Sequence, residues 1–307
     1  MIKVFNILIC LLVSGSTLIA QEYSTQELTI NPHIDGTLLL PKNQNSSKLV
    51  ILIAGSGPTD RDGNQSFMKN DNLKKIAEFL SSAGIASFRY DKRIVKQIRN
   101  GNIDKNILFD DFVTDARSVV DYFKSKYETI IIAGHSQGSL VGLLAVGEVA
   151  SGFISLAGPG KSIDEVLIDQ ISKTAPMFLE DTKRVLTSLK KGQTTDDYPP
   201  ALASIFNMDI QPFMINWMQY NPTQILSELS IPSLIINGDK DLQVGVDEAT
   251  MLHENAQDGT LIIVKNMNHV LFNIEGGDLE NAKSYNDNTL EIADEVKKNM
   301  IMFIENL

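Results

Sequence analysis

Short runs that are apolar throughout, set between amphipathic helical stretches, constrain this chain more than any other feature. Lys48-Leu49-Val50-Ile51-Leu52-Ile53 is one such run. Ile85 to Tyr90, Thr129 to Ala133, Phe153 to Leu156, Ser233 to Asn237 and Thr260 to Val264 are others. A strand that is apolar on both faces must be covered on both faces. The intervening stretches supply the cover. Asn72 to Ser82 places Leu73, Ile76, Ala77, Phe79 and Leu80 at helical spacing, with Asn70 or Asp71 as N-cap and Gly84 as stop. Asp110 to Lys126, Ser139 to Glu148 and Leu290 to Ile304 read as further helices. The alternation predicts an α/β fold with a mostly parallel central sheet flanked by helices. Leu28 to Leu40 predicts an opening hairpin that turns at Asp35-Gly36. Ligands in such folds bind at the C-terminal ends of the strands.

Between Pro159 and Ile231 the alternation stops, and helical stretches broken at Pro199-Pro200 replace it. This predicts a helical cap, residues 161–227, inserted into a core formed by residues 21–160 and 228–307. Residues 1–20 form a separate unit: Lys3, then an apolar run from Ile7 to Val13, then small and polar residues ending in Ala20. The pattern predicts a secretory signal peptide cleaved after Ala20, hence a secreted or periplasmic protein. The single cysteine, Cys10, lies inside that run, so the mature chain would hold no disulfide and no thiol catalyst. No other stretch is long and apolar enough to suggest stable membrane insertion. The net charge of −11 disfavours a nucleic-acid partner, because an acidic surface repels phosphate backbones. Oligomeric state is not encoded in any motif.

Gly134-His135-Ser136-Gln137-Gly138 sits between the strand ending at Ala133 and the helix that follows. A serine on a tight strand-to-helix turn projects its hydroxyl above the sheet, and the glycines on either side let the backbone pass closely. Such a serine needs a base and an orienting acid, in the order Ser, Asp, His, each after a strand. The chain has four histidines. His33 precedes the sheet core, His135 lies within the turn itself, and His253 falls in a helical run between two strands. His269, in Asn266-Met267-Asn268-His269 after a strand, is the predicted base. Gly238-Asp239-Lys240-Asp241 follows the preceding strand. Asp241, further out on the loop and able to reach back to an imidazole, is the predicted acid, with Asp239 as the alternative. No metal-binding spacing and no Gly-Lys-Ser/Thr phosphate loop occurs, so no cofactor or metal is expected.

These residues, together with Gly55-Ser56-Gly57-Pro58-Thr59-Asp60-Arg61-Asp62-Gly63-Asn64 and Arg89-Tyr90-Asp91-Lys92-Arg93, make the chain resemble the α/β-hydrolase superfamily, in its carboxylesterase and serine-aminopeptidase-like group. The resemblance covers roughly Glu27 to Leu307. It implies a serine hydrolase acting on a small-molecule carboxylic ester, with a peptidase on the same fold and a non-catalytic binding protein as alternatives. It also implies an oxyanion hole formed by the backbone amides of Ser56 and Gln137. Relatives continue the Asp-x-Arg element with glycines, whereas this chain has Ile94-Val95-Lys96-Gln97, at a loop that borders the entrance in relatives. Asp60, Arg61 and Asp62 are expected to hold their own loop through ion pairs. Of Met177, Phe178, Phe206, Met208, Phe213, Met214, Trp217 and Met218, two or three are expected to face the site, and a closed pocket taking short acyl groups is expected. An aminopeptidase would need one of Asp164, Glu165, Asp169, Glu180 or Asp181 at the site to grip the substrate's ammonium.

Overall fold

The computed structural model describes residues 23–42 and 46–307. The predicted signal segment and Cys10 lie outside the described residues. Strands β1 (Tyr23–Asn31), β2 (Ile34–Pro41), β3 (Lys48–Ile53), β4 (Ala86–Tyr90), β5 (Thr129–His135), β6 (Gly152–Leu156), β7 (Ser233–Gly238) and β8 (Gly259–Val264) form one sheet in the order β1-β2-β4-β3-β5-β6-β7-β8. The pairs from β4 through β8 are parallel, while β1 and β2 add an antiparallel edge. The chain order reverses between β3 and β5, which are direct neighbours. That reversal opens the crevice where open α/β sheets bind ligands.

Helices α1 (Asn72–Ser82), α2 (Arg93–Arg99), α3 (Phe109–Phe123) and α4 (Gln137–Ala145) follow β3, β4 and β5. Five helices, α5 (Ile163–Thr174), α6 (Leu179–Lys190), α7 (Ala203–Phe206), α8 (Gln211–Trp217) and α9 (Pro222–Ser227), fill the interval between β6 and β7. Helices α10 (Val246–Asn255), α11 (Asp278–Ser284) and α12 (Asp294–Glu305) complete the chain. The pleat of β3 sorts its apolar run into two cores. Leu49, Ile51 and Ile53 join Phe88, Phe109 and Phe123 on one face, and Val50 and Leu52 join the α1 and α12 side chains on the other. No helix among the described residues is long and apolar enough to cross a membrane.

Three local expectations need correction. The opening hairpin turns at Pro32-His33, not at Asp35-Gly36. Asn31 Oδ1 accepts the backbone N–H groups of His33 (2.8 Å) and Ile34 (3.0 Å), a side chain completing the turn that Pro32 bends. Gly36 lies within β2 opposite Tyr90, where a Cβ would stand 2.3 Å from Phe88 Cζ. It is a packing glycine. The C-terminal helix starts at Asp294 rather than Leu290, because the chain first spends Phe272 and Ile292 on an isolated bridge. Residues 93–99, expected as a loop at the entrance, form helix α2.

Candidate active site

The turn after β5 is the most constrained part of the site. Ser136 has φ 53° and ψ −123°, a region L-residues rarely occupy. Its N–H donates to Leu156 O on β6 (2.9 Å), and helix α4 begins at the next residue. Both flanking glycines are obligatory. A Cβ on Gly134 would lie 2.1 Å from Gly138 O, and a Cβ on Gly138 would lie 2.3 Å from Ile53 O. Strand, turn and helix thus pack backbone to backbone, which leaves no room for any side chain but those of 135, 136 and 137.

The acid and base lie beyond β7 and β8, the two outermost strands on this side. Asp241 Oδ2 and His269 Nδ1 are 2.7 Å apart, both side chains essentially buried. The other carboxylate oxygen, Oδ1, accepts the N–H groups of Gln243 (2.8 Å) and Val244 (2.9 Å), which fixes its orientation. Asp239 has a different partner: its Oδ1 accepts Asn266 N–H at 2.6 Å, tying the end of β7 to the exit of β8. With Nδ1–H given to Asp241, the Nε2 of a neutral His269 is left as the acceptor.

His135 had no role in the sequence reading, yet its ring centroid is 5.0 Å from that of His269. Its Nε2–H donates to His269 O at 2.8 Å, so it seats the base's backbone. Burial lowers its pKa to about 4, which keeps it neutral. Asn268, quoted above only as the neighbour of the base, also has a role. Its Nδ2 donates to Asn281 Oδ1 (3.1 Å) and Ser284 Oγ (2.7 Å), while Asn281 Nδ2 donates to Lys240 O (2.8 Å). One buried amide network therefore holds the loops of acid and base in register.

The loop after β3 lies against the serine. A Cβ on Gly55 would come within 3.2 Å of Ser136 Cβ. Ser56 O accepts from Thr59 Oγ1 (2.7 Å) and Gln65 Nε2 (3.0 Å), so this peptide is anchored through its carbonyl. Gln137 opens α4, where a first-turn N–H has no intrahelical acceptor. Ser56 and Gln137, whose amides are expected to form an oxyanion hole, line the same cavity as Ser136. Beneath them lies Lys92, whose Nζ donates both to Gly55 O (2.9 Å) and to Gln137 Oε1 (2.8 Å).

A cavity of about 790 Å³ opens over Ser136, Ser56 and Gln137. Its walls are mainly apolar: Ile94 and Ile98 of α2, Phe112 of α3, Val166 and Leu167 of α5, and Phe213, Met214 and Trp217 of α8. Three of the eight apolar residues singled out between 177 and 218 face it, as expected. Phe206 is instead fully buried and Met177 is exposed. The cavity holds more room than a short acyl group fills. Ile94 and Ile98 contribute to a wall because 93–99 forms a helix rather than a glycine loop.

Asp60, Arg61 and Asp62 do not line the cavity. Arg61 bonds Asp91 (2.8 Å), Thr37 Oγ1 (2.9 Å) and Glu27; Asp62 accepts from Arg89 Nε (2.8 Å); Asp60 Oδ1 accepts the N–H groups of Asp62 and Asn64. They hold the loop to the sheet. Among the described residues no group of three or more His, Cys, Asp or Glu side chains is placed to hold a metal.

No family model matches the chain. It is 27% identical over 269 residues to Esterase EstD of Thermotoga maritima, a match covering 83% of this chain. The match spans 62% of the length of that relative. Among solved structures it resembles Est1E from Butyrivibrio proteoclasticus, with a TM-score of 0.57 at 16% identity, over 92% of this chain and 99% of that one. It also resembles the Pyrococcus furiosus esterase Pf2001, with a TM-score of 0.55 at 16% identity, over 93% and 91%. The fold, a mostly parallel eight-stranded sheet with a strand-to-helix serine turn, is the one these solved esterase structures share.

Proposed function

We propose that this protein is a serine hydrolase that cleaves carboxylic esters through an acyl-enzyme. One observation carries the reading: a serine on a strained turn at the wall of an apolar cavity, whose chain neighbour His135 bonds the backbone of His269 in the buried His269–Asp241 pair. Ser136 Oγ attacks the ester carbonyl while His269 Nε2 takes its proton. Asp241 keeps the imidazole in the right tautomer and stabilises the imidazolium. The amides of Ser56 and Gln137 receive the oxyanion, and His269 returns the proton to the leaving alcohol. Water then repeats the sequence on the acyl group. The names of the EstD relative and of the fold neighbours agree with this class.

The helices between β6 and β7 serve in this reading as a cap whose α5 and α8 shape the acyl or alcohol pocket. Its apolar walls and its size suit groups larger than butyryl. The peptidase alternative is not favoured. Asp164 pairs with Lys190, Asp169 with Lys161, Glu180 with Lys183 and Asp181 with Arg184, while Glu165 accepts from Ser162; none of the five lines the cavity. Export by cleavage after Ala20 belongs to the same proposal and rests on the sequence pattern.

The test is a p-nitrophenyl ester series from acetate to dodecanoate, run beside aminoacyl anilides, on wild type and Ser136→Ala. Ester hydrolysis abolished by Ser136→Ala supports the reading; anilide cleavage outpacing every ester contradicts it.

A further inference from the structure

Lys92 sits under the proposed oxyanion hole, and among the described residues no carboxylate pairs with its Nζ. It is buried, its Nζ has two neutral oxygen acceptors, and it lies 4.4 Å from the centroid of the Phe112 ring. Burying an ammonium without a carboxylate partner is costly, and a methionine would fill the same space without that cost. Something must therefore repay the charge.

The two acceptors show what that is. Gly55 O and Ser56 N–H belong to one peptide unit, and in a trans peptide they point in opposite directions. A donor fixed on the oxygen orients the N–H away from itself, and a cationic donor withdraws electron density so that the N–H becomes a better donor in turn. The second acceptor, Gln137 Oε1, belongs to the residue whose backbone supplies the other amide. One ammonium thus grips both halves of the hole from behind.

We propose that Lys92 is a positioning residue of the oxyanion hole: its ammonium locks the Gly55–Ser56 peptide to the Gln137 side chain and polarises the Ser56 N–H toward the developing oxyanion. This rests on the ester-hydrolase reading. The ionisable groups packed around Lys92 do not neutralise it. Tyr90 on β4 is buried with its pKa raised, so it stays neutral. Asp115 and Asp111 on α3 are held by Arg93, and His135 at the end of β5 is neutral. Burial alone lowers the Lys92 pKa to about 7, so its charge is at stake within the working range of an esterase.

The experiment compares wild type, Lys92→Met and Lys92→Arg. Lys92→Met should lower kcat about 10²–10³-fold, the size of a lost oxyanion donor, with KM nearly unchanged. Its melting temperature should hold or rise. In wild type kcat should fall on the alkaline side as Lys92 loses its proton. Lys92→Arg keeps a permanent charge, so that alkaline fall should vanish up to about pH 10. Folded Lys92→Met turning over within about threefold of wild type would overturn the proposal. If Lys92→Met does not fold, coincident alkaline limbs in wild type and Lys92→Arg overturn it instead. Labelling by a fluorophosphonate separates the two ideas. Unlabelled wild type means the hydrolase reading fails and this proposal with it. Labelled wild type with a fully active Lys92→Met means only this proposal fails.

Discussion

At the scale of single residues, the backbone of Ser136 shows how tightly the site is specified. A non-glycine residue keeps φ near 53° only when its surroundings over-determine it. Here they do so through Gly134 and Gly138. Gly138→Ala would drive a methyl into Ile53 O and Ala54 O, which are backbone atoms that cannot swing aside. We expect a loss of several kcal/mol of stability or no folded protein, read by urea titration. The two aspartates separate cleanly. Asp241→Asn keeps the shape but presents the wrong hydrogen-bonding group to His269 Nδ1, so kcat should fall about 10⁴-fold. Asp239→Asn weakens one bond to Asn266 N–H and should cost about 1 kcal/mol of stability with turnover largely kept. If the kinetic losses are reversed, the acid is Asp239. Ser136, Asp241 and His269 were legible because the chemistry demands those residue types in that order after strands. Lys92, His135 and Asn268 were not, because nothing in a sequence marks a lysine as buried or a histidine as a prop for another histidine.

At the scale of elements, α2 has the largest consequence. Seven residues whose only charges are the basic Arg93, Lys96 and Arg99, with no acidic first turn, leave too short a period to mark a helix in the sequence. Folded, it does two things. Arg93 forks onto Asp115 through Nε (2.7 Å) and Nη2 (2.8 Å), and reaches Asp111 as well, pinning α2 to α3. Arg93→Met would leave the Asp115 carboxylate, 3% exposed, without its partner, and should destabilise by about 3–5 kcal/mol in denaturant melts. Ile94 and Ile98, one turn apart, face the cavity. Ile94→Trp should fill part of it and lower kcat/KM for the longer esters by about tenfold relative to acetate, since pocket contacts of this kind discriminate on that scale. Equal losses along the ester series would show that α2 does not touch the acyl group. The strands from β3 to β8 were legible to within a residue or two because runs such as Leu49 to Ile53 have no alternative burial, whereas β1 begins at Tyr23, five residues before the expected Leu28. The first turn was misread because a glycine required for packing against Phe88 looks, in sequence, like a glycine required for a turn.

At the scale of the whole molecule, neighbouring parallel strands bring together residues 80 to 213 positions apart, from Ser56 through Ser136 to His269. The strand order itself was not legible. Nothing local in β4 says that it pairs outside β3, although the reversal this creates is what opens the crevice. The stability of the assembled site should follow pH through His135. Its folded pKa of about 4 lies below the ordinary 6.5, so between those values the unfolded chain binds a proton that the folded chain refuses. Its contribution is intact above pH 6.5 and is lost as pH falls toward 4, on the order of 3 kcal/mol at about 1.36 kcal/mol per pH unit. His135→Gln, which keeps a donor toward His269 O, should show a shallower decline of the urea midpoint over that interval; an unchanged decline would assign the acid sensitivity to other groups.

The covalent step is the centre of the proposed function, and one measurement reaches it directly. Wild-type protein is mixed with a p-nitrophenyl ester, quenched in acid within the first turnovers, and mapped by peptide mass spectrometry. An acyl group on Ser136, absent from Ser136→Ala and accumulating in step with a p-nitrophenol burst, is the predicted result. Undiminished ester turnover by Ser136→Ala, or an acyl group carried on a different residue, would contradict it.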